Sequence, residues 1–289
     1  MTAPEASMSL ANADTPVSVL AALRRRPLFL ICVGIVAAFA LLALVVPFLP
    51  VDPAVLNPLR RLRAPSMLEP FGTDHVGRSV LARTLWGTQI SLGVGLAVAA
   101  LTTLAGVSIG LLAGYIRALD MVLMRVMDAV MAVPAILLAI ALVALIGAGP
   151  VVIVVAISMP EIPRMARTVR AGVLVLRELA FVEAATICGG RLSTILLRHI
   201  LPSVAGPVLV QATYVFAAAM ILEAILSFLG AGTPPDVASW GNMMAEGRQY
   251  LEIAPWILVF PAIALTILVL AINVIGDELR DMLDPESAR

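Results

Sequence analysis

Long apolar runs separated by short polar stretches organise the whole chain. Residues 28–50, 90–115, 122–146, 204–229 and 254–275 each form such a run. A helix rises about 1.5 Å per residue, so about 20 apolar residues cross a 30 Å hydrocarbon core, and all five qualify. The first run follows Arg24, Arg25, Arg26 and Pro27 and ends in VVPFLPVDP. It is longer than the apolar segment of a cleaved signal peptide, about 7–15 residues, and reads as a retained span. A further run, VVIVVAISMPEIP at 151–163, is short and interrupted by Pro160, Glu161 and Pro163. The pattern predicts an all-α integral membrane protein of five or six spans.

Arginine placement decides the parity. With six spans and Arg24–Arg26 inside, the inner side holds those three together with Arg117, Arg125, Arg164, Arg167, Arg170, Arg177, Arg191, Arg198, Arg280 and Arg289. The outer side keeps Arg60, Arg61, Arg63, Arg78, Arg83 and Arg248. Omitting the weak span would move the arginines from Arg164 to Arg198 outside, against the positive-inside rule. Six transmembrane helices with both termini cytoplasmic is the expected topology. It divides the chain into a cytoplasmic N-terminal segment (1–27), a first span (28–50), an external loop with an interfacial helix (51–89), a five-helix core (90–277) and a cytoplasmic tail (278–289).

Composition narrows the chemistry. The chain is 61% hydrophobic and 13% charged, with a mean hydropathy of +1.03. Soluble domains carry about 25% charge. The formal net charge is zero, so no broad basic field is offered to nucleic acid. All 19 basic side chains are arginine. Without lysine there is neither a P-loop nor a Schiff base, so the chain does not hydrolyse ATP by itself. Cys32 and Cys188, both near the reducing side in this topology, are expected as free thiols.

The longest inner loop carries a segment unlike the rest, FVEAATICGGRLSTILLRHILP at 181–202. Before it, Met165, Val169, Val173 and Leu176 recur at helical spacing and extend the fourth span inward. Glu183-Ala184-Ala185 then predicts a short helix of about two turns, ended by a positive-φ glycine at Gly189 or Gly190. Paired alanines present a low ridge that a partner can approach closely, although Glu-Ala-Ala is also ordinary helix composition. In the outer loop, EPFGTDHVGRSVLARTLWGTQISLGVGL at 69–96 places turns at Gly72 and Gly77. Thr73 or Asp74 can cap a helix start, and Val76, Val80, Leu81, Leu85 and Trp86 form an apolar face beside Arg78 and Arg83. Trp86 suits the headgroup level.

The Glu-Ala-Ala segment, with Gly189 four residues after Ala185 and His199, Leu201 and Pro202 leading into a span, resembles the EAA loop of ABC importer permeases. Residues 69–96, LSFLGAGTPPDVASWGNMMAEGRQYL at 226–251 and GDELRDMLDP at 276–285 are similar to the C-type permease of the dipeptide, oligopeptide and nickel branch. The resemblance spans about 69–285. It departs at SMPEIPRMART, where the family more often has an aromatic residue, and at Gly190, often alanine. It implies the type I ABC importer permease architecture, with residues 181–190 as a coupling helix docked on a cytoplasmic ATPase. Glu183, Ala184, Ala185, Gly189, Gly190, His199 and Pro202 would serve that coupling. Phe71, Gly72, Thr73, Asp74, Gly77 and Arg78 match the external family motif. The implied partners are a second homologous permease, one or two ATPase subunits that hold ATP and Mg, an external substrate-binding protein and a peptide substrate, all at a bacterial inner membrane. No cofactor is implied in this chain.

Individual polar residues carry further expectations. Glu223 lies roughly 9 Å inside the fifth span, where a carboxylate either lines the translocation path or bonds to a neighbouring helix. Asp128 is expected to pair with Arg125 at i, i+3. Asp74 and His75 lack a third ligand nearby in sequence, so no metal is expected. His199 is expected to cap or orient the helix ahead of Pro202. The loop 231–253, with Pro234, Pro235, Asp236, Trp240, Glu246 and Arg248, either shapes the external mouth or is a solvated connection with Trp240 at the interface. A secondary transporter would need midplane carboxylates and inverted repeats, and here Glu223 is the sole candidate. An intramembrane enzyme would need paired catalytic groups within spans, and both histidines fall outside them.

Overall fold

Apolar periodicity becomes helix throughout. The structure, a computed structural model, describes residues 26–147, 149–234 and 237–283. Arg24, Arg25, Pro235, Asp236, Pro285 and Arg289 lie outside the described residues. Helix α1 is Pro27–Val45, continued by a 3-10 turn at Val46–Phe48. Helix α2, Val80–Tyr115, is 36 residues long, about 54 Å. The expected interfacial helix and second span are therefore one helix. Its cap is neither Thr73 nor Asp74: Ser79 accepts the Ala82 N–H, and the predicted face member Val76 precedes the helix.

The run 122–146 is not one span. Helix α3, Arg117–Met131, and helix α4, Ala135–Ile146, meet at 87°. Pro134 lies between them, and its fixed φ and missing N–H prevent the first helix from continuing. Conversely, the weak fourth run is intact: α5, Pro150–Leu176, passes through Pro160 and Pro163 without interruption. Its 27 residues give about 40 Å, so the extension predicted from Met165 to Leu176 is part of the same helix. Helix α6 is Ala180–Ile187. Helix α7 runs over Leu192–Phe228, with a π-helical turn at Ile195–Ile200, and begins well ahead of Pro202. Helices α8, Trp240–Gly247, and α9, Trp256–Leu283, complete the bundle.

Among the described residues four helices, α1, α2, α7 and α9, are long and apolar enough to cross a membrane, and the bent α3–α4 pair raises the number to five. Helix α5 has the length but carries Glu161, Arg164 and Arg167 in its middle. Arg26 at the start of α1 pairs with Glu278 near the end of α9, so these two helix ends share one side of the bundle.

The most extensive helix pairing is α2 against α5. It rests on Gly106, Gly110 and Gly114, where a Cβ would stand 2.5, 2.6 and 2.6 Å from the Cβ atoms of Met165, Val169 and Val173. Both rows repeat every four residues, so small residues of one helix receive large ones of the other along three turns. Close backbone approach of this kind drives association where lipid offers no hydrophobic gain. A second cluster, Val94, Val98, Ala139, Val143, Ile153 and Ile157 with Val215 and Ala219, joins α2, α4, α5 and α7.

Candidate functional site

Two features stand at opposite ends of α2. At its Tyr115 end lies α6, whose eight residues follow the predicted two turns. Val182 is buried, and Ala185 packs on the cluster formed by Val173, Ile195, Leu196 and Ile200. The opposite face, with Phe181, Glu183, Ala184, Thr186 and Ile187, is exposed, Ile187 at 78%. Gly189 ends the helix with φ +75°, the left-handed conformation expected of one of the two glycines. Gly190 donates to Ala185 O at 3.0 Å, and a Cβ there would stand 2.7 Å from that oxygen. Tyr115 Oη and Thr186 Oγ1, 3.3 Å apart, fasten α6 to the end of α2. Tyr115, Arg117, Arg177, Glu178, Glu183 and Thr186 line a cavity of about 480 Å³ beside the exposed face.

His199 and Pro202 lie past α6, in the helix that follows it. His199 lies in the π-helical turn with Nδ1 3.3 Å from Thr194 O, and Pro202 is in the first turn of the regular helix that follows. The helix is continuous through both, so His199 neither caps nor precedes a helix start.

At the Val80 end, the residues around Phe71-Gly72-Thr73-Asp74 build a buried latch. Phe71 stacks on Phe260 with centroids 3.9 Å apart. Gly72 has φ +70°, and a Cβ on it would meet Arg63 O and the Trp256 ring. Gly77 has φ +83° and touches the Asn57 carbonyl. Buried Thr73 donates to Arg60 O and accepts from Arg63 N. Asp74, fully buried, accepts the Val76 and Arg78 N–H groups at 2.9 Å and the Arg78 Nε at 2.6 Å. Burial pushes its carboxyl up, but Arg78 and these N–H donors pull it further down, and the net position is below the ordinary 3.8.

Arg83 completes the arrangement. It is 1% exposed and bridges Asp74 to Glu246 of α8. Arg78 reaches the same Glu246 at 2.9 Å, and the His75 ring stacks on Tyr250. Glu246 thereby supplies the third group that sequence neighbours of Asp74 and His75 lacked, and the three ligand atoms lie within 4.8 Å of one another. Both carboxylates are already engaged by Arg78 and Arg83, whose charges oppose a metal ion.

Within the loop 231–253 the stretch around Trp240 is buried rather than interfacial, while Leu251 and Ile253 are exposed. Trp240 is fully buried, donates Nε1 to Thr84 O at 2.9 Å and meets Phe39 edge-on. Asn242 Nδ2 donates within the loop to Thr233, Pro234 and Val237 oxygens, closing it over α8. Glu223 is 1% exposed and accepts from Ser227 Oγ at 3.0 Å, and Gly241 of α8 packs against Ser227. Asp128 pairs with Arg167 of α5 at 2.5 Å rather than with Arg125, while Asp120 holds Arg170 through two bonds. The bend at Pro134 and the depth of α5 bring those charges together; i, i+3 spacing along α3 did not.

Comparison with known proteins follows the same outline. The family model described as the binding-protein-dependent transport system inner membrane component matches residues 106–289. A probable peptide ABC transporter permease, y4tQ of Sinorhizobium fredii, is 47% identical over 92% of this chain and 91% of that protein. The dipeptide transport system permease DppC of Alkalihalophilus pseudofirmus is 39% identical over 91% of this chain and 88% of its own. The glutathione transport system permease GsiD of Pectobacterium atrosepticum is 42% identical over 77% and 74%. Among solved structures, the inward-facing MetNI methionine ABC transporter matches with a TM-score of 0.50 and 22% identity, covering 67% of this chain and 94% of that one. That likeness concerns the fold.

Two groups of residues escaped the sequence reading. The Gly106, Gly110, Gly114 row was visible as a four-residue period of glycine within an apolar run. Arg83 and Glu246, separated by 163 positions, carried no local signal of their meeting.

Proposed function

The chain belongs to the inner membrane components of binding-protein-dependent transport systems, and from that premise we propose that it is the permease subunit of an ATP-driven importer of small peptides. The observation that carries the mechanism is α6, a helix that packs by Val182 and Ala185 and leaves Phe181, Glu183, Ala184 and Ile187 bare. A soluble face made of a phenylalanine, an isoleucine and one carboxylate, held by a positive-φ glycine, suits a protein partner. In this reading the partner is an ATPase that holds ATP and Mg, and the present chain contributes no catalytic group and binds no cofactor.

Closure of one or two such ATPases pushes α6. Because α6 is tied to Tyr115 of α2 and packed on α5, the push reaches the most extensively packed helix pair of the bundle. The ATPases thereby bias two arrangements of the spans, and ATP hydrolysis selects between them. A second homologous permease completes the path, a binding protein docks at the Val80 end, and both chain ends lie in the cytoplasm of a bacterial cell. Glu183, Ala184, Ala185, Gly189 and Gly190 are the coupling residues, and the Phe71, Gly72, Thr73, Asp74, Gly77 and Arg78 latch stabilises the docking end. The relatives' names supply the peptide class, from dipeptides to glutathione.

The test is co-purification of the chain with its neighbouring subunits, followed by peptide uptake in proteoliposomes. Glu183→Arg and Ala184→Trp should each release the ATPase while the spans stay folded. Uptake that proceeds without any ATPase would refute the proposal.

A further inference from the structure

The α5–α7 face carries polar groups that neither the latch nor α6 uses. On α5, Glu161, Arg164 and Thr168 share one face by their i, i+3, i+7 spacing. Glu161 and Arg164 line a cavity of about 370 Å³ that opens where Pro134 breaks α3 from α4 and is walled on the far side by Ala218, Ile221 and Leu222 of α7. Thr168 lines a second cavity of about 440 Å³ with Gln211, Tyr214 and Arg280. The two cavities share the same pair of helices, and their α7 walls run from Leu222 to Gly206, roughly 24 Å of helix rise. Taken together as one trough, the two span most of a 30 Å core.

A trough holding such charges is ill suited to lipid. Glu161 is eleven residues from the Pro150 end of α5, roughly 16 Å along the helix and near the middle of the core. Its carboxylate is 3% exposed and accepts from Arg164 Nη1 at 2.6 Å, while the Arg164 side chain is 53% exposed. Ion pairs at such depth turn to a water-filled space or to protein. Arg167 and Arg170, one and two turns further, are committed to Asp128 and Asp120 on α3, so those two charges are already paired.

We propose that this trough is the chain's share of the substrate path, and that Glu161 and Arg164 receive the ammonium and carboxylate ends of a zwitterionic peptide. The proposal rests on the peptide-importer reading above. A carboxylate and a guanidinium that neutralise each other when no substrate is present can exchange partners with a zwitterion, leaving the net charge of the site unchanged. The exposed Arg164 fork is free to swing, and a guanidinium takes a carboxylate through two parallel bonds. Cavities of about 300–1,000 Å³ are the usual size for small-molecule sites, and each half of the trough falls in that range. Glu223, sealed beneath α8, contributes no such contact.

The experiment uses the complete importer in proteoliposomes. In a background with Cys32→Ser and Cys188→Ser, Ala218→Cys is exposed to a membrane-impermeant trimethylammonium methanethiosulfonate, with Leu104→Cys as a control, since Leu104 is 71% exposed on α2. Labelling of Ala218→Cys at least tenfold faster than Leu104→Cys, slowed by saturating dipeptide, is expected. Equal rates would overturn the path. Glu161→Gln should lower ATP-dependent uptake of a free dipeptide roughly tenfold relative to its N-acetylated form, the scale of one charge-assisted hydrogen bond. Arg164→Gln should do so relative to the C-amidated form. Uniform losses for free and blocked peptides, or none, would overturn the terminal contacts. If the unmodified importer moves no peptide while Ala218→Cys still labels, the peptide reading fails and the ligand class proposed here fails with it, but the path stands.

Discussion

Replacing Arg83 by methionine keeps most of the side chain's length and removes its charge, which isolates the electrostatic part of the latch. The guanidinium makes three bonds: Nη1 to Asp74 Oδ2 at 3.0 Å, Nη1 to Glu246 Oε2 at 2.6 Å and Nη2 to Glu246 Oε1 at 3.0 Å. Its place in the first turn of α2 is unfavourable by itself, because a helix N-terminus disfavours a cation by about 0.3–1 kcal/mol. The two carboxylates therefore hold it there. Removing one partner of a buried pair costs about 3–5 kcal/mol. Here Asp74 keeps Arg78 and two backbone N–H donors, and Glu246 keeps Arg78 Nη2, so neither anion is left bare. The lower end, about 3 kcal/mol, is the expected loss. Unfolding of the purified chain by SDS in mixed micelles measures it. The double variant with Glu246→Gln should lose less than the sum of the two singles, by at least about 0.5 kcal/mol of coupling. A loss under about 1 kcal/mol for Arg83→Met alone would refute the assignment of the cluster as a buried, interdependent unit.

Asp74 gives the latch a pH dependence. Its folded carboxyl lies below the ordinary 3.8, so its contribution is complete above that value and is lost as the pH falls through the lowered one. Stability should decline below about pH 4, and Asp74→Asn should flatten that decline while lowering stability at neutral pH. Gly110→Leu would drive a side chain into a Cβ contact of 2.6 Å with Val169, and about 1–3 kcal/mol of destabilisation is expected by the same SDS assay, eased by adding Val169→Gly, which removes that Cβ. Gly189→Ala should strain the φ +75° residue by about 1 kcal/mol and speed hydrogen exchange at the end of α6, leaving the latch unaffected.

The apolar runs were legible because each span needs a long run whatever it packs against. The short helix α6 was legible too, since its alanines and its glycine stop are local features. What the sequence concealed were meetings between distant residues. Hydropathy made 122–146 one span, but a single proline turned it into two helices at 87°. The same measure made α5 the weakest span, although its Arg167 and Arg170 are paired by α3 and its glycine partners lie on α2. Trp240 looked like an interfacial anchor because aromatic residues in polar loops often are; its indole is instead enclosed by α1, α2 and α9.

The break at Pro134 bears on how the chain enters a membrane at all. Helix α4 offers 12 apolar residues, about 18 Å, too few to hold a crossing, and α3 brings Asp120 and Asp128 with it. The arginines that neutralise those aspartates, Arg167 and Arg170, are synthesised some 40 to 50 residues later. When α4 leaves the ribosome, the arginines that those acids hold in the fold have yet to be made. The segment from Arg117 to Leu176 is consequently one unit of assembly: its earlier part reaches its final ion pairs only once the later part has been made.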